Sequence, residues 1–105
     1  MGKSILIPQI LTNEIFKIGG VVELFPQQGG WFYLRIPKKY TEMTKDLADR
    51  GLVAITATVG KTSWKTSLLP YGDGTQFIAL SAKVRKAENI HLGDRITILF
   101  QLRER

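Results

Sequence analysis

The sequence predicts a mainly β protein: a closed six-stranded, pseudo-twofold β-barrel made of two strand–strand–helix–strand halves, with two short helices. Three observations carry that expectation. Short segments alternate apolar and polar residues through most of the chain, the period of a strand with one buried face. Turns rich in Pro and Gly separate them. The order of elements then repeats, over residues 14–59 and again over residues 60–105. Six strands suffice to close a small barrel and remove exposed edges.

Residues 1–13 hold Ile5, Leu6, Ile7, Ile10 and Leu11 around Pro8. Proline lacks a ladder donor, so this is an N-terminal arm or an edge strand. Residues 14–25 form the first strand, with Ile18, Val22 and Leu24 on one face and a bend at Gly19-Gly20. After the turn at residues 25–30, residues 31–36 alternate strictly. Phe32, Leu34 and Ile36 point inward, whereas Trp31, Tyr33 and Arg35 point outward. Pro37 suits the start of a helix, since its missing donor is one that a first turn leaves free. That helix is expected over residues 38–50, with Tyr40, Met43, Leu47 and Ala48 as its stripe and Gly51 as its C′ residue. Val53, Ile55, Ala57 and Val59 alternate inward along the next strand.

The second half opens with a turn at Gly60-Lys61 and a strand over residues 62–69 bearing Trp64, Thr66 and Leu68 on one face. Trp64 is expected in the core. A turn at residues 70–74 leads to a strand over residues 77–80, with Ile78 and Leu80 inward. Ser81 caps a helix over residues 82–88, because its hydroxyl can accept from a free first-turn amide. Val84, Ala87 and Ile90 give that helix its apolar spacing, and Asn89 can end it in the left-handed conformation. Gly93-Asp94 makes a tight turn into the cleanest strand, residues 95–102, with Ile96, Ile98, Phe100 and Leu102 on the buried face.

Lys83-Val84-Arg85-Lys86-Ala87 followed by Leu92-Gly93-Asp94-Arg95-Ile96 resembles the unit of cradle-loop barrels, including the swapped-hairpin DNA binders of the AbrB type. Taken whole, the chain is similar to a small, mainly bacterial family known only as a domain of unknown function, DUF1905. Gly29-Gly30-Trp31-Phe32, Ile36-Pro37, Ser67-Leu68-Leu69-Pro70, Gly74, Val84-Arg85-Lys86-Ala87 and Gly93-Asp94 carry this likeness. The resemblance implies a compact β-barrel and no established activity, so it supplies no catalytic residue.

At 105 residues the chain is long enough for one domain with one core. It has no cysteine, which excludes disulfides, thiolate metal sites and a cysteine nucleophile. His91 is the only histidine, so a zinc site would need three carboxylates and a Ser–His–Asp triad has one possible base. No apolar run approaches the roughly 18 residues a membrane helix needs. The expectation is a cytoplasmic protein without cofactor or metal, a monomer with homodimerisation as the alternative, and an enzyme least of all.

Fifteen Lys and Arg against nine Asp and Glu give a net charge of +6. That favours a non-catalytic binding module with a basic face, nucleic acid being the first candidate partner. Lys38, Lys39, Lys83, Arg85, Lys86 and Arg95 are the candidate polyanion contacts. The alternative is a barrel that binds a small molecule or peptide, with Trp31, Tyr33 and Tyr71 as the stacking residues.

Overall fold

The computed structural model describes residues 13–26 and 30–103. The expected arm, apart from Asn13, and the middle of the turn at residues 25–30 lie outside the described residues. In chain order the elements are β1 (Phe16–Val21), β2 (Glu23–Leu24), β3 (Phe32–Ile36), α1 (Lys38–Thr44), β4 (Val53–Val59), β5 (Thr62–Pro70), β6 (Gln76–Leu80), α2 (Ala82–Glu88) and β7 (Arg95–Leu102). A 3-10 turn, Lys45–Leu47, follows α1. The strands form one sheet in the order β1-β7-β4-β5-β6-β3-β2, every neighbouring pair antiparallel. Its two outermost strands, β1 and β2, are separated in the chain by Val22 alone. The sheet therefore curls into a nearly closed barrel. Among the described residues no helix is long and apolar enough to cross a membrane.

Among the described residues seven strands replace the expected six, because the first one breaks at Val22. The Val22 amide donates to the Asp94 carbonyl at 2.8 Å, and the Val22 carbonyl accepts from the Gly93 amide at 3.0 Å. The turn before β7 thus grips the chain at Val22, and beyond it Glu23 and Leu24 pair with β3 instead. Gly20 lets the strand pass close by β3: a Cβ there would stand 2.9 Å from Leu34 Cδ1. The break also turns Leu24 outward, at 39% exposure, against the inward position that simple alternation predicts.

The interior holds the alternating residues of every long strand. Ile18, Leu34, Ile55, Ala57, Leu68, Ile78, Ile98 and Phe100 belong to one buried cluster. Tyr40 of α1 seals one region of it, its ring edge-on to Phe16 at 5.8 Å and to Phe100 at 5.5 Å.

The first helix is shorter than expected. Thr44, fully buried, donates its hydroxyl back to the Tyr40 carbonyl at 2.6 Å, a bond that competes with helix propagation. Thr44 therefore takes the buried position expected for Met43, which is exposed. Asp49 and Leu52 then bond each other through both backbone groups, with Arg50 and Gly51 both left-handed between them (φ 56° and 82°). That is a tight hairpin turn of the primed type, so Gly51 serves the turn and does not cap the helix.

The second helix lies where it was expected. The Ser81 hydroxyl accepts from the Val84 amide at 3.3 Å, and Asn89 is left-handed (φ 53°, ψ 48°). Val84 and Ile90 are buried. Ala87 is exposed, because this short helix meets the barrel through Val84 and through the chain that leaves it.

Candidate functional site

A pocket of about 390 Å³ opens where β5, β6 and α2 meet the start of β3. It exists because the β5–β6 ladder is short. Leu69 pairs with Phe77 and Pro70 with Gln76, and there the pairing stops, although β5 extends back to Thr62 and β6 on to Leu80. The far side of the opening is bridged by α2, whose Glu88 carboxylate accepts from the Lys61 amide and the Thr62 hydroxyl. Trp64 and Thr66 of β5 form one wall, and Ala79 and Leu80 of β6 another. Trp31, just before β3, and Phe32 of β3 flank it, and Arg85 closes it from α2.

Arg85 is held firmly. Its Nε donates to the Leu80 carbonyl at 3.1 Å, and its guanidinium lies over the Phe32 ring, 3.9 Å from the centroid. Trp31 is 55% exposed, with its ring edge-on to Phe77 at 6.4 Å. Trp64 is half-buried and packs on the core as expected, while also lining the pocket. The chain has only two tryptophans, and both border this one space.

The other predicted stacking residues lie elsewhere. Tyr33 does point to the outer face of β3, yet it is only 3% exposed, so it is not an open stacking surface. Phe25 stacks on it at 4.2 Å, and Phe77 meets it edge-on at 5.4 Å. Its hydroxyl donates to Glu23 Oε1 at 3.2 Å and lies 3.3 Å from the Tyr71 hydroxyl. Tyr71 is drawn over this cluster by Arg35, whose guanidinium sits 3.7 Å from its ring centroid and pairs with Asp73 at 3.1 Å. The Thr75 hydroxyl and amide, and then Arg35, hold the Asp73 carboxyl below the usual carboxylate range. The result is a small second core outside the barrel wall.

Burial, with the Tyr71 and Glu23 contacts, pushes the Tyr33 phenol up to about 12. A phenol that ionises at higher pH in the folded chain than in the unfolded one keeps its full stabilisation below pH ~10. That stabilisation is lost as pH rises toward 12, each tenfold difference in acidity between the two states being worth about 1.4 kcal/mol. The melting temperature should therefore fall across that window in the wild type. In Tyr33→Phe the fall should be smaller, followed by circular dichroism with the tyrosinate absorbance in parallel.

The basic candidates form separate groups. Phe32 pairs with Leu80 and Ile36 with Gln76. α1, entered from Ile36, and α2, entered from Leu80, therefore start at opposite ends of the β3–β6 ribbon, about 14 Å apart along the strands. Lys38 and Lys39 are exposed at one end, and Lys83 and Lys86 at the other. Arg95 is exposed at the start of β7, opposite Val21. Arg85 is drawn out of the basic set into the aromatic pocket. His91 is exposed, with Nδ1 3.6 Å from Asp94 Oδ2. Among the described residues no three His, Asp or Glu side chains gather to hold a metal ion.

A search of curated proteins finds no match for the chain. A family model described as a domain of unknown function matches residues 19–99, which takes in the break at Val22, the β5–β6 opening and all but the last residues of β7. With most of its length inside that match, the chain belongs to the DUF1905 family.

Proposed function

We propose that the chain is a non-catalytic binding module whose ligand site is the pocket between Trp31, Trp64 and Arg85. The observation that carries this reading is the convergence of both tryptophans on one opening, beside a guanidinium already held in place. Apolar walls with a few placed polar groups are the usual make-up of a small-ligand site. The pocket lining offers Thr66, Ser81 and Arg85 as its polar side chains, a set suited to holding a ligand rather than to cycling a proton near neutral pH. A small molecule, or one side chain of a peptide, fits this opening better than a duplex does. The lysines of the two helix starts face a duplex as two separated groups.

A pseudo-twofold relation supports the same site. Taking β1 and β2 as one bent strand makes six strands in two halves. In each half the last residue of the long strand pairs with the first residue of the next, Leu24 with Phe32 and Pro70 with Gln76. β3 pairs with β6 and β4 with β7, as a twofold between the halves requires. Under this relation α1 and α2 occupy equivalent places. Tyr40, Phe16 and Phe100 fill the space at α1, whereas the space at α2 is open.

Tryptophan emission reports directly on this pocket, since no tryptophan lies elsewhere. A panel of small aromatic compounds should contain members that shift the emission saturably and raise the melting temperature. Ligand at a hundredfold excess over Kd adds about 2.7 kcal/mol. Unchanged emission across the panel, together with duplex DNA binding whose salt slope is about −0.9 per phosphate contact, would move the function to the lysine groups.

A further inference from the structure

We infer that the ligand of this pocket carries a carboxylate beside its flat apolar group, and that Arg85 is the residue that reads it. This rests on the pocket being the ligand site. The Arg85 guanidinium has one nitrogen committed, Nε to the Leu80 carbonyl, and its plane is set by the Phe32 ring. Its two terminal nitrogens have no acceptor and no ion pair among the described residues. The acid that would ordinarily serve them is Glu88, three residues along the same helix. Glu88 is turned away instead, spent on the Lys61 amide and the Thr62 hydroxyl.

An oriented guanidinium with two parallel N–H donors left over matches a carboxylate in bidentate fashion. Among the described residues it is the sole charged side chain on the pocket wall, so it balances one negative charge. A phosphate dianion would leave a second charge among tryptophan, phenylalanine and leucine, at a desolvation cost. The broken ladder adds donors for the same ligand. β4 and β5 join at Val59↔Thr62 across a two-residue turn, so the even-numbered residues of β5 bond to β4. By that alternation the main-chain groups of Lys65 and Ser67 face the opening, as do those of Ala79 from β6, without a ladder partner there.

The aromatic carboxylate could be a free metabolite or the last residue of a peptide chain, and the test separates the two. Phenylacetate, its neutral methyl ester, Gly-Gly-Phe and its C-terminal amide are titrated into the whole chain, with tryptophan emission and melting temperature as readouts. At least one of the two acids should bind saturably, and roughly ten- to a hundredfold more tightly than its neutral counterpart. Phenylacetate alone would identify a free acid, and Gly-Gly-Phe alone a chain terminus. Arg85→Gln should erase the preference for acid over neutral partner. Arg85→Lys, which keeps the charge but not the fork, should fall between, and unchanged circular dichroism verifies both folds. Equal binding of acid and neutral partner would overturn the carboxylate inference and leave the pocket reading standing. Silence from all four probes would overturn both.

Discussion

Phe100→Ala and Ile98→Ala should each destabilise the chain by about 2–5 kcal/mol, the range for large-to-small changes in a packed core. Both side chains are essentially inaccessible to solvent, at 1% and 0% exposure, and sit in the main buried cluster. Phe100 is the more critical. It lies between its ladder partners Phe16 and Ala57, and it receives the edge of Tyr40 at 5.5 Å, so its loss opens a cavity under α1 as well as in the sheet. Thr97, the residue before Ile98, lies on the exposed face of β7, and Thr97→Ala should cost less than about 1 kcal/mol. Urea unfolding of the three variants measures the contrast. Equal losses at all three positions would contradict the face or the register assigned to β7.

Tyr33→Ala is expected to cost about 3–5 kcal/mol, as for removal of a buried aromatic ring. The alanine would abandon the Phe25 stack at 4.2 Å, the Phe77 edge contact and the Tyr71 hydroxyl, leaving Arg35 to tie the residue 70–74 turn to β3 through Tyr71 and Asp73. Trp31→Ala, two residues earlier on the same strand face and 55% exposed, should cost far less stability while weakening any ligand of the pocket. If the two variants lost stability equally, the outer aromatic group would be a surface and not a second core.

The parts of the fold written in short sequence are those whose causes are local. Ser81 caps α2 through its own hydroxyl, Asn89 adopts the conformation its side chain tolerates, and Gly93 and Asp94 turn the chain into a strand of strict alternation. Alternation also puts Tyr33 on the correct face. It cannot show that Phe25 and Tyr71, eight and thirty-eight residues away, cover it, because both covers come from turns brought in by tertiary contacts. The early end of α1 belongs to the same class, since Thr44 is buried by β6: Gln76 donates to its hydroxyl at 3.3 Å. Tryptophan and arginine each stand among the candidate residues, but in separate sets. What unites Trp31, Trp64 and Arg85 is the point at which the β5–β6 ladder stops, and strand register over that distance has no signature in composition or period.

If ligand binds in the Trp31–Trp64–Arg85 opening, amide and indole correlation spectra recorded during a phenylacetate titration will register it residue by residue. The largest, saturable shifts should fall on the indole N–H groups of Trp31 and Trp64, on the Arg85 Nε–H and on the Ala79 amide, with residues around Lys38 and Lys39 unmoved. Shifts centred on Lys38, Lys39 or Arg95 with both indoles stationary would contradict it.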